Sequence, residues 1–114
     1  MAKGQPKKKI KFDPGLYEKI PVNDLILMGI YFYGENGCTF EKLVGECFTF
    51  FPKVFNFSQY PNWPDSRKLD RPLRELREKR LIVGDPQTSF SLTKTGRKLA
   101  QEISKDFGQK KLIL

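Results

Sequence analysis

The sequence predicts an α+β fold, mainly α with a small β-hairpin. Three observations lead there. Apolar residues recur at helical spacing in several separate stretches, two short β-prone runs flank one turn-forming centre, and 114 residues leave room for a single core.

Residues 1 to 11 combine Gly, Gln and Pro with five lysines and no acid, which predicts a poorly ordered basic arm. The folded domain is therefore expected over residues 12 to 108, with 109 to 114 as a basic and apolar tail. After Pro21, the pair Asn23 and Asp24 offers an N-cap for a helix carrying Leu25, Ile26, Leu27, Met28, Ile30, Tyr31 and Phe32, with Gly34 and Gly37 as stops. So short an apolar run also fits a buried strand, and periodicity alone leaves both readings open. Thr39 can cap a second helix, whose Phe40, Leu43, Val44 and Cys47 fall on one face; it should end before Pro52.

An aromatic insertion follows. Residues 48 to 63 hold Phe48, Phe50, Phe51, Phe55, Phe57, Tyr60 and Trp63, seven of the chain's fifteen aromatics, punctuated by Pro52 and Pro61. A stacking platform for unpaired bases would need a basic groove, and Lys53 is the only charge here. Core packing is the expectation, with a subunit contact second.

The third helix takes its apolar stripe from Leu69, Leu73 and Leu76. At about 100° per residue these cluster in one sector, and Arg67, Arg71 and Arg74 project from the opposite side, with Glu78 behind them. Pro72 lacks an amide hydrogen and disfavours helical geometry at Arg71, so the helix either kinks there or starts later, with Asp70 or Arg71 as its cap. In the second case Arg67 and Lys68 belong to the approach segment, close to a helix N-terminus where phosphate binds well. Next, residues 81 to 84 and 89 to 92 read as a β-hairpin about Asp85, Pro86, Gln87 and Thr88. Thr93 can cap a last helix in which Leu99, Ile103 and Phe107 recur every four residues and close the core.

Charge is unevenly distributed. The chain carries a net +8, yet residues 12 to 64 hold three bases against six acids, residues 65 to 80 seven against four, and residues 81 to 114 six against three. A domain acidic through its first two helices and basic afterwards is expected if the later elements face nucleic acid, with ordinary solubility charge as the alternative. Familiar catalytic chemistry is excluded: without histidine there is no imidazole base, triad or metal ligand. No phosphate loop, metal cluster or carboxylate pair has the spacing that chemistry needs, so neither an enzyme nor a cofactor is expected. Cys38 and Cys47 cannot close a zinc site alone; they read as buried free thiols, with a disulfide as the alternative. Lacking a signal peptide and any apolar run near the ~20 residues of a membrane span, the chain is expected in the cytoplasm.

The order helix, helix, basic helix, hairpin, helix resembles the winged helix-turn-helix superfamily. Leu69, Leu73, Leu76, Leu81 and Ile82, then Phe90, Ser91, Leu92, Thr93 and Gly96, are similar to the recognition helix, wing and following helix of small microbial transcription regulators. The resemblance implies a three-helix core with a wing and a C-terminal helix, and double-stranded DNA binding in transcription regulation. Arg67, Arg71 and Arg74 would then meet guanine edges or phosphates, Lys68 a phosphate, Gln87, Thr88 and Ser89 the backbone beside the wing, and Lys7, Lys8 and Lys9 the phosphates or minor groove. Ser66 and Lys94 are further phosphate candidates. Paired half-sites and the apolar chain ends would suit a homodimer. Two departures stand out. Arg80 occupies a position just past the third helix where many relatives carry Gly, which points to a different turn, and the connection between helices two and three is unusually long. The rival expectation is a protein-protein interaction module working through its aromatic segment and apolar C-terminus.

Overall fold

A proline sets where the central helix begins. The computed structural model describes residues 12–34 and 37–110. In it Pro21, at φ −56° and ψ 142°, is the N-cap of α2 (Val22–Tyr33). Its carbonyl accepts from the amides of Asp24 (3.0 Å) and Leu25 (3.2 Å). Asn23 and Asp24 thus lie inside the first turn and are not its cap. Proline supplies the fixed φ and has no amide hydrogen left over outside the helix. Released from capping, the Asn23 amide donates to Glu75 Oε1 at 3.0 Å. The strand alternative is ruled out: α2 is helical and buried at every position from Leu25 to Ile30, because α3, α4, α5 and the hairpin surround it.

One turn, α1 (Pro14–Tyr17), precedes it and was not legible as a helix. Tyr17 is buried, its ring edge-on to Phe51 at 5.3 Å, and its hydroxyl oxygen accepts from the Lys53 amide at 3.1 Å. Helix α3 (Phe40–Phe50) is capped as expected, with Thr39 Oγ1 accepting from the Lys42 amide at 3.3 Å. It crosses α2 closely at Gly29, where an added methyl would lie 3.0 Å from Cys47 Sγ. Both cysteines are buried free thiols, so the disulfide alternative does not hold.

The aromatic stretch divides in two. Phe48 and Phe50 are the last turn of α3, and Phe51 and Phe55 are fully buried in the core. From Asn56 to Pro64 the chain makes an outward lobe, closed by a bridge between those two residues and by the Phe57 amide donating to the Trp63 carbonyl at 3.1 Å. The lobe then turns inward at Asp65, whose amide donates to the Phe55 carbonyl at 2.8 Å.

A 3₁₀ turn (Ser66–Leu69), capped by Asp65, leads into α4 (Asp70–Glu78). Pro72 therefore falls in the first turn of α4, where no intrahelical donor is lost. The late start is the version realised, but Leu69 holds the cap position, and Asp70 and Arg71 are the first two helical residues and not the cap. At the other end the Leu81 amide donates to the Leu76 carbonyl and the Arg80 amide to the Arg77 carbonyl, both at 3.0 Å. That is a Schellman closure, with Arg80 left-handed at φ 61°. The expected change of turn does not occur; arginine adopts the geometry usually left to glycine.

Strands β1 (Ile82–Gly84) and β2 (Phe90–Leu92) pair antiparallel, Ile82 opposite Leu92 and Gly84 opposite Phe90. Cys38 bridges the other edge of β2 through two 2.8 Å hydrogen bonds with Phe90. Thr93 joins three elements: its hydroxyl donates to the Arg80 carbonyl (2.7 Å), the same oxygen accepts from the Gly96 amide (3.0 Å), and its own amide donates to the Leu81 carbonyl (3.0 Å). This starts α5 (Lys94–Lys110), which packs along α2. Gly96 is required there, because a side chain would overlap the Leu81 carbonyl. No helix among the described residues is long and apolar enough to cross a membrane.

Candidate nucleic-acid interface

Three leucines orient α4. Leu69, Leu73 and Leu76 are buried against α2 and the hairpin, so the opposite side of the helix is turned to solvent. Arg71 and Arg74 are exposed on it, and Arg77, one turn past Leu73, is exposed at its margin, where it shares a cleft with Leu73. The i,i+4 pairs that sequence spacing allows, Asp70 with Arg74, Arg74 with Glu78 and Glu75 with Lys79, are not closed; the ion pair seen at this end is Arg67 with Asp65. Glu75 is held instead by Asn23, which fixes the rotation of α4 about its axis relative to α2. Asp24, in the first turn of α2, has its carboxyl raised above the ordinary range by burial, against the opposing pull of the Lys79 ammonium.

The helix and the hairpin loop share a cleft of about 170 Å³ whose walls include Phe40, Asp70, Arg74, Arg77 and Pro86. Two guanidinium stems therefore lie on the side of α4 that faces the loop. The loop is tightly wound: Asp85 Oδ1 accepts from the Gln87 amide (2.8 Å) and the Thr88 amide (3.1 Å), an Asx turn that leaves both side chains exposed. Gly84 makes the close approach behind it, at φ 114°, where any side chain would strike the Ser89 backbone. Ser89 is half-buried with its hydroxyl against Gly37, so it stands apart from Gln87 and Thr88.

Arg67 and Lys68 are placed differently from the three arginines of α4. Arg67 Nε donates to Asp65 Oδ1 at 3.3 Å and its guanidinium lies 5.6 Å from the centre of the Phe57 ring, while the side chain stays 77% exposed. The Lys68 ammonium donates to the carbonyls of Val54 (3.2 Å) and Asn56 (2.7 Å), which fastens the lobe to the approach turn. Ser66 and Lys94 are exposed at their helix starts. Lys7, Lys8 and Lys9, like the apolar end Leu112 to Leu114, lie outside the described residues.

Arg77 and Pro86 are additional to the residues that the sequence singles out. Arg77 follows Arg74 by three positions, the spacing of one helical face, so the signal was present. Pro86 carries no charge, and only the folded loop brings it to the helix. Comparison with protein-family models, with curated proteins and with solved structures finds no match to this chain.

Proposed function

We propose that the chain is a winged helix-turn-helix domain that binds double-stranded DNA, with α4 entering the major groove and the β1–β2 loop beside it on the backbone. The observation that carries this reading is the exposed side of α4, where Arg71, Arg74 and Arg77 form no ion pair among the described residues and Arg74 and Arg77 border the hairpin loop. The order of helix, helix, basic helix, hairpin and helix supports it, as does a charge balance that turns positive from residue 65 onward. Planar guanidinium groups suit both guanine edges and phosphates, and the three are assigned to those contacts. Gln87 and Thr88 take backbone contacts from the loop, and Arg67 a phosphate at the helix entrance. Lys68 is first a brace for the lobe and contributes to DNA through its remaining N–H only. Transcription regulation, by a homodimer on paired half-sites, is the setting this reading implies.

Fluorescence anisotropy on mixed-sequence duplex tests it. With about five phosphates neutralised, log affinity falls against log salt with a slope near −4.5. Replacing Arg71, Arg74 and Arg77 together with alanine weakens binding by roughly a hundredfold or more and flattens the slope by about 0.9 for each of the three that meets a phosphate. Equal binding by the wild type and the triple variant retires α4 as the reading helix.

A further inference from the structure

We propose that the Tyr60–Trp63 pair is a stacking site for an unpaired nucleobase, so that the DNA preferred by this protein carries a single-stranded extension beside the duplex held by α4. The inference rests on the DNA-binding reading above and specifies its substrate.

The lobe from Asn56 to Pro64 is built, not loose. Its ends bridge, the Trp63 amide donates to the Tyr60 carbonyl at 2.9 Å, and Lys68 and Asp65 fasten its base to the core side. Yet its two largest side chains face water: Tyr60 is 57% and Trp63 59% exposed. Their rings lie nearly parallel, 15° apart with centroids at 4.9 Å. A pair stacked in this way leaves an outer ring face free, and a base adds to it as a further layer.

The surroundings select the occupant. Ser58, Gln59, Pro61 and Asn62, next to the rings in sequence, are exposed, and the cation that sequence spacing did not bring to this stretch comes from Arg67 of the following turn. Protein-binding aromatics sit at the centre of a wider apolar patch, whereas here the other exposed large hydrophobics are Val22 and Val83, on other elements. Two flat rings rimmed by amide and hydroxyl groups fit a small planar group with hydrogen-bonding edges, which is a nucleobase. Phosphates are met by Arg67, whose guanidinium is layered on Phe57 inside the same lobe. Arg67 belongs to the 3₁₀ turn that leads into α4 and its guanidinium lies over Phe57 of the lobe, so the lobe adjoins the approach to α4.

Trp63 is the sole tryptophan, so its emission reports on this site alone. The full chain is titrated with a blunt duplex and with the same duplex carrying a single-stranded extension of about six nucleotides, within the span of common single-strand sites. The extended DNA is expected to quench Trp63 and to bind roughly 5- to 150-fold more tightly, the ~1–3 kcal/mol of one base stack converted at ~1.4 kcal/mol per tenfold. Tyr60→Ala and Trp63→Ala should abolish that preference while leaving blunt-duplex affinity and the melting temperature unchanged. Equal affinity for the two DNAs, a preference that survives both substitutions, or equal quenching by blunt duplex overturns the proposal. Emission that responds to neither DNA overturns it too. If blunt duplex binds with a steep salt slope but no preference follows, only this inference falls; if no DNA binds, both readings fall.

Discussion

Arg80 carries a conformational load that its neighbours do not share. A left-handed backbone costs an L-residue roughly 1–2 kcal/mol, and the Schellman bonds to Leu76 and Arg77 hold it there regardless. Arg80→Gly keeps both bonds and removes the steric cost, at the expense of extra entropy in the unfolded chain. The expected result is a net gain of about 0.5–1 kcal/mol, measured by urea unfolding. Gly96→Ala should act in the opposite direction. Its methyl would overlap the Leu81 carbonyl, forcing α5 away and breaking the Thr93 to Leu81 hydrogen bond, for a loss of about 2–3 kcal/mol in the same assay. The two positions also divide what a sequence discloses. Gly96 is conspicuous as a glycine in a helical stretch, whereas Arg80, noticed only as a departure from glycine, pointed to a different turn and not to a left-handed arginine.

The helices were legible where burial is one-sided, because a stripe at 3.6-residue spacing is the imprint of a single buried face. Leu73 and Leu76 in α4, with Leu69 just before it, and Leu43 and Cys47 in α3 are of this kind. The aromatic lobe was not, since what holds it is a cation on two backbone carbonyls and an aspartate amide on a third, contacts that follow no period. Core packing was the expectation for all seven rings, and it holds for Phe51 and Phe55 but not for Tyr60 and Trp63. The candidate site was legible to the same degree: the arginines follow from the stripe opposite them, while the lysine that braces the lobe reads like any other base in a basic run. Lys68→Met isolates its role. The stem is kept, the carbonyls of Val54 and Asn56 lose their donor, and the lobe should open locally: faster amide exchange at Phe57 and Asp65, stronger acrylamide quenching of Trp63, and a global stability change of no more than about 1 kcal/mol.

Across the whole molecule, the seam between α2 and α3 gives a pH signature. Burial pushes the Cys38 thiol up to about 12 from an ordinary 9.0, with Glu46 adding to the rise and Lys42 opposing it, and burial likewise raises Cys47. Thiols that ionise near 9 in the unfolded chain and only higher in the folded one favour folding below that value. Stability should therefore decline as pH climbs from about 9 toward 12, and Cys47→Ser should alter the size of that decline in urea unfolding at a series of alkaline pH values. At pH 8 neither sulfur should react with a disulfide reagent until the chain opens, so the modification rate measures global unfolding. The bridge from Cys38 to Phe90 has one more effect. It occupies one flank of β2 as β1 occupies the other, and the margin left open is β1 itself, ending at Gly84 after three residues. So brief an edge offers a neighbouring strand almost no backbone to pair with, which disfavours edge-to-edge association.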